Sequence, residues 1–137
     1  MKYAIAAQSF DIAGPLAVTM ARTMAPQGLE IVPIYLESEV PVAPEVTLAL
    51  REVGLAYSPI AVSALADAPG PFDTVIALGD PGPLPAALTE GAGRVVRVRL
   101  PAAAQAKDAL TKARAAREEL RLVLAGLLSR RLESDVG

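Results

Sequence analysis

The reading of this chain turns on Tyr3-Ala4-Ile5-Ala6-Ala7-Gln8-Ser9-Phe10-Asp11-Ile12-Ala13-Gly14-Pro15-Leu16. The apolar run at its start, with no polar residue alternating in it, is a short buried strand. A loop follows, and a helix opens at Gly14-Pro15, where a proline loses nothing because the first-turn N–H has no intrahelical partner. In α/β proteins such a strand–loop–helix corner is a binding site, since unpaired N–H groups and the positive end of the helix meet there. This corner has that form without the side chains that would do chemistry in it.

Outward from the corner, strands and helices alternate. Residues 15–25 carry Leu16, Met20 and Met24 at helical spacing, and Pro26 and Gly28 end that helix. Residues 29–35 are β-rich, with Pro33 marking an edge or a bulge. A polar turn at 36–39 precedes a helix that Pro44 opens and Gly54 closes, with Val46, Leu48, Leu50 and Val53 apolar. Residues 55–66 are ambiguous, extended at most around Ile60-Ala61-Val62. Residues 73–78 form a continuous apolar run, expected as a central strand. A short helix is expected over 83–90. Residues 95–100 alternate, as a strand with one wet face near an edge would. One long helix is expected from about residue 104 to 132, striped by Leu110, Ala113, Ala116, Leu120, Val123 and Leu127, with Leu124 and Leu128 widening the stripe. The tail 133–137 is expected to fray. The sum is one α/β domain over 1–137, three-layered, with a four-stranded, mainly parallel sheet and helices on both faces. Its binding edge, at the C-terminal ends of the strands, gathers 8–13, 79–83 and 101–105 around one cleft.

Composition narrows the function. The 137 residues are 53% hydrophobic and 20% charged, with a net charge of −2, which fits a globular protein with an aliphatic core. The absence of cysteine excludes disulfides and thiolate chemistry, and the absence of histidine removes the commonest general base and metal ligand. No cofactor and no metal site are expected. Glu37 and Glu39 read as a solvated turn rather than a cation site. Before Arg94 the basic residues are Lys2, Arg22 and Arg51 against ten acids, whereas ten basic residues follow from Arg94 onward. No aromatic residue interleaves with those later arginines, so no nucleic-acid partner is expected. The apolar run after Lys2 stops at Gln8, too short for a secretory signal, and no span crosses a membrane, so a cytoplasmic location is expected.

The order of these motifs resembles the low-molecular-weight protein tyrosine phosphatases, a family that includes the thioredoxin-type arsenate reductases. The resemblance rests on Ala4-Ile5-Ala6 before the loop and Gly14-Pro15-Leu16-Ala17 after it. Farther on it rests on Glu52-Val53-Gly54, Phe72-Asp73-Thr74-Val75-Ile76-Ala77-Leu78-Gly79-Asp80, Leu100-Pro101, Arg114, and Arg117-Glu118-Glu119-Leu120. Carried over position by position, it implies that the family's nucleophilic cysteine falls on Ala7, its phosphate-binding arginine on Ala13 and its general-acid aspartate on Ala102. A methyl group can neither attack phosphorus, clamp an oxyanion nor protonate a leaving group. The resemblance therefore implies a catalytically inactive member with a degenerate loop: Ala7, Gln8, Ser9, Phe10, Asp11, Ile12 and Ala13.

Asp11 would compete with an anion for the loop's donors, or else cap the helix or turn to water. Ser9 lacks a base, and Asp80 reads as the cap of the 83–90 helix. Phe10 and Ile12, with Pro83 and Leu84 nearby, form a candidate partner-binding patch; the alternative is that Phe10 folds inward and plugs the space of the missing arginine. Three functions follow. The preferred one is interaction with an unidentified protein partner or a second copy of the chain. The second is an anion- or nucleotide-binding module using the loop cleft, and the third an enzyme of unrelated chemistry.

Overall fold

The computed structural model describes residues 1–68 and 70–136, with side chains through residue 128. Five strands, β1 (Lys2–Ala7), β2 (Glu30–Tyr35), β3 (Ser63–Ala64), β4 (Thr74–Leu78) and β5 (Arg94–Val98), form one sheet in the order β3-β2-β1-β4-β5. Every pairing is parallel. Around it lie α1 (Ala13–Met24), α2 (Pro44–Arg51), α3 (Ala86–Thr89), α4 (Pro101–Gln105) and α5 (Ala109–Val136). The sheet thus has five strands where four were expected. The fifth, β3, is two residues long, too short for any hydrophobic period to register in the sequence.

Strand alternation splits the core into two layers. Tyr3, Ile5 and Ala7 of β1, with Ile76 and Leu78 of β4, face the layer built from α1, α2, α4 and α5. Ala4, Ala6 and Val75 face the opposite layer, closed by Phe72 and by Leu88 of α3. β4 is buried along its whole length, as its unbroken apolar run requires, while β5 shows the wet alternation of an edge. At the N-terminal rim Asp73 fastens three strands. Its carboxylate accepts the Lys2 N–H at 2.8 Å, its own N–H donates to the Lys2 carbonyl, and its carbonyl accepts from Gly93 and Arg94.

Pro33 sits inside β2, opposite Ile5, and costs the ladder nothing. Glu30 and Leu36 donate toward β1, so even-numbered residues of β2 point that way and Pro33 points outward. β3 on that side begins its pairing only at Ile34.

The long C-terminal helix is broken in two, against expectation. Asp108 ends the α4 segment by capping α5: its Oδ1 accepts the Thr111 N–H at 2.8 Å and its Oδ2 the Thr111 hydroxyl at 2.9 Å. Those bonds hold its carboxyl below the usual aspartate range, the backbone one foremost. The stripe itself is buried as expected at Ala113, Ala116, Leu120, Leu124, Leu127 and Leu128. α5 extends to Val136, past the expected start of fraying, and Gly137 lies outside the described residues. Among the described residues no helix is long and apolar enough to cross a membrane.

α2 docks on α5 through charge. Arg114 grips the Glu52 carboxylate with Nε and Nη2, the latter at 2.6 Å, and Arg117 Nη1 reaches the same carboxylate at 2.7 Å. Arg117 also donates to the Ala49 carbonyl at 2.9 Å, in the last turn of α2, where a cation complements the helix dipole. The hydrogen bonds from Arg114 and then Arg117 pull the Glu52 carboxyl down from 4.5 to about 2. A depressed folded value means that this stabilisation is complete above 4.5 and drains away as pH falls toward 2. Urea midpoints measured across that window check this. Wild type should lose stability steeply, whereas Glu52→Gln should start lower at neutral pH and follow a flatter curve. Parallel curves for the two proteins would refute the coupling.

Candidate functional site

The C-terminal ends of β1 and β4 open into a cleft of about 400 Å³, closed on the far side by α4 and α5. Ala7, Gln8, Ser9, Asp11, Ile12 and Ala13 line it from the β1 loop, Gly79 and Asp80 from the β4 loop, and Leu100, Ala103 and Ala104 from the α4 segment. The three loops expected around one cleft are therefore brought together. Lys112, from the first turns of α5, also lines it and was missed by the sequence reading. Its signal was its place four residues before Ala116, on the helix face that reaches the cleft.

The methyl groups of Ala7 and Ala13 stand where the resemblance puts a nucleophile and an anion clamp. Ala102 is exposed, and Ala103 and Ala104, not Ala102, face the cleft. What Ala102 contributes is its N–H: Glu119 of α5 accepts the amides of Ala102 at 3.2 Å and Ala103 at 3.0 Å, satisfying the start of α4 from a neighbouring helix. In the sequence Glu119 stood only within the Arg117-Glu118-Glu119-Leu120 motif of the resemblance, with no partner assigned to it.

Asp11 turns to water rather than capping α1, and the cap expected of Asp80 is corrected. α1 begins after Ile12 with no side-chain cap, and Asp11 is exposed to water at the cleft while its carbonyl accepts the Ala43 N–H at 2.9 Å. The helix after β4 begins after Pro85, again without a side-chain cap, and Asp80 is exposed five residues upstream. The β1 loop is instead fastened by its backbone. The Gln8 carbonyl accepts from Glu37 and Ser38, whose side chains are exposed.

The partner patch expected at Phe10, Ile12, Pro83 and Leu84 does not form a surface. Phe10 is 3% exposed and Ile12 7%, both within the α1-side core. Leu84 is half-buried against the opposite layer, and only Pro83 is exposed. Phe10 folds inward, yet it does not plug the cleft. Its ring lies over Gly14, where a Cβ would stand 2.6 Å from Cγ and 2.8 Å from Cε2. On its other side it meets Tyr35, Val42, Ile60 and Val62 around a small hollow of about 70 Å³. Gly14 is thus required by the ring above it, and the cleft stays open.

No family model matches the chain, and no curated protein matches it in sequence. Solved structures do resemble it. An arsenate reductase in its phosphate-binding state superposes with a TM-score of 0.77 at 19% identity, over 94% of this chain and 97% of that one. An arsenate reductase from Archaeoglobus fulgidus gives 0.69 at 17% identity, over 93% and 98%. A mutant of YwlE from Bacillus subtilis gives 0.69 at 15% identity, over 95% and 97%. The chain has the low-molecular-weight phosphatase-like fold over nearly its whole length.

The contact between Phe10 and Gly14 makes a coupled prediction. Phe10→Ala should destabilise the fold by about 3 kcal/mol, as loss of a buried aromatic does. Gly14→Ala should destabilise wild type by about 1–3 kcal/mol through overpacking, and much less once Phe10 is alanine. Additive effects in denaturant titrations of the four proteins would show that the ring does not rest on Gly14.

Proposed function

We propose that this chain is a catalytically inactive protein of the phosphatase-like fold that works by binding another protein or a second copy of itself, in the cytoplasm. The observation that supports the reading is the cleft: it is formed and open, and Ala7 and Ala13, to which the resemblance assigns the nucleophile and the clamp, line it. The sequence holds no cysteine to serve as the nucleophile. The charge distribution supports a protein partner over nucleic acid, because Arg114, Arg117 and Arg121 are engaged by Glu52 and Glu118 rather than open to phosphates.

A second reading, a small-ligand module in the same cleft, is favoured by Lys112, which supplies a cation across from Asp11 and Asp80. The cleft volume, about 400 Å³, is within the usual range of small-molecule sites.

Purified protein should hydrolyse para-nitrophenyl phosphate no faster than buffer and reduce no arsenate. Turnover that co-elutes with the folded protein would overturn the reading. The scaffold can be tested in the opposite direction. Ala7→Cys combined with Asp11→Gly and Ala13→Arg should give vanadate binding by calorimetry that wild type lacks. A folded triple variant that binds none would mean that the loop no longer holds its donors toward the cleft.

A further inference from the structure

The segment 55–62 is the larger part of the stretch, 55–66, that the sequence leaves ambiguous. It lies in no helix or strand and leads directly into β3, the outermost strand of the sheet. Leu55, Tyr57, Ile60 and Val62 are partly buried against the α1-side core. Among the described residues, none of the loop hydrogen bonds uses the backbone of residues 56–62. Side chains therefore hold the segment in place, while among the described residues its C=O groups and its N–H groups (Pro59 has none) make no backbone hydrogen bond. Exposed backbone of this kind is open to water and equally to another strand or peptide laid along it, as at a sheet edge.

Shallow grooves flank the segment. One, about 390 Å³, runs between Thr47 and Arg51 of α2 and Leu55-Ala56-Tyr57. The other, about 240 Å³, runs between Thr19, Arg22 and Thr23 of α1 and residues 56–60, and Ala56 borders both. Arg22 and Arg51 are two of only three basic residues in the acidic first 93 positions, and the fold sets them on either side of one ridge. Both are exposed, and neither is ion-paired among the described residues. Arg22 spends one N–H on the Ile31 carbonyl at 3.3 Å and keeps its other donors. Arg114, Arg117 and Arg121 of α5 are matched by carboxylates from within the chain, whereas among the described residues these two are not.

We infer that residues 56–62, with Arg22 and Arg51 beside them, are a docking site for an extended acidic segment of a partner protein. Main-chain groups of the segment pair with those of the partner, and the two guanidiniums receive its carboxylates. The inference rests on the protein-binding reading above and gives it a location away from the cleft.

The test uses fluorescence anisotropy of the whole protein with a labelled ten-residue peptide alternating glutamate and valine, and with its lysine–valine counterpart. Wild type should bind the glutamate peptide at least about tenfold more tightly, with affinity falling as salt rises. The pair Arg22→Glu and Arg51→Glu should remove that preference, while Arg94→Glu with Arg99→Glu, at the other edge of the sheet, should leave it intact. If the charge reversal unfolds the protein, Arg22→Gln with Arg51→Gln should still flatten the salt dependence. Absence of binding, equal affinity for both peptides, or an unchanged preference in the reversed protein would each overturn the site. So would a wild-type dimer that the reversal dissociates, since the occupant would then be a second copy. A partner captured equally well by wild type and reversed protein would remove this groove and leave the protein-binding reading standing.

Discussion

β1 has parallel partners on both edges and apolar layers on both faces, and the rest of the molecule is arranged to meet that condition. A strand so enclosed cannot leave a polar group unmatched, so its backbone is paired along its length and its residues from Ala4 to Ala7 are small or aliphatic. Parallel pairing forces each connection to cross over the sheet, which is why helices separate the strands and why the loops after β1 and β4 emerge side by side. The cleft is a product of that topology. Its existence does not depend on whether anything within it reacts.

That independence explains how a site can lose its chemistry and keep its shape. The walls are set by Leu78, Leu100 and Ala103, residues of the buried layer, and by the hold of Glu119 on the amides of α4. None of these needs a nucleophile or an anion clamp. The β1 loop is held from outside the cleft, by Phe10 over Gly14 and by the bonds that the Gln8 and Asp11 carbonyls accept. The frame thus stands without reactive groups at Ala7 and Ala13.

The contact between α2 and α5 in the helical layer is organised by charge. Arg117 is the more enclosed of the two arginines on Glu52, and it joins that carboxylate, Glu118 and the Ala49 carbonyl at one point. A guanidinium that meets three acceptors in fixed directions orients α2 against α5 more sharply than apolar contact does, because hydrogen bonds are directional and the hydrophobic effect is not. The same network engages Arg114, Arg117 and Arg121, three of the ten basic residues from Arg94 onward.

Sequence by itself determined the features that repeat or exclude. Unbroken apolar runs located β1 and β4, a β-rich run β2, alternation β5, helical spacing α1 and the stripe of α5, and Pro44 with Gly54 bracketed α2, because burial of one face or of both is written directly into residue choice. The lack of cysteine and histidine removed whole classes of chemistry before any geometry was known. Glu52 and the run from Arg114 to Leu120 were visible as motifs, though not as partners. Tertiary structure alone decided what depends on one side chain meeting another far along the chain. It turned Phe10 into the core over Gly14, brought Lys112 to the cleft, and gave Glu119 to the amides of Ala102 and Ala103. It also made a strand of Ser63–Ala64 only because β2 runs beside them. A local pattern records which face of an element is buried; which residue fills that face is settled only when the layers close.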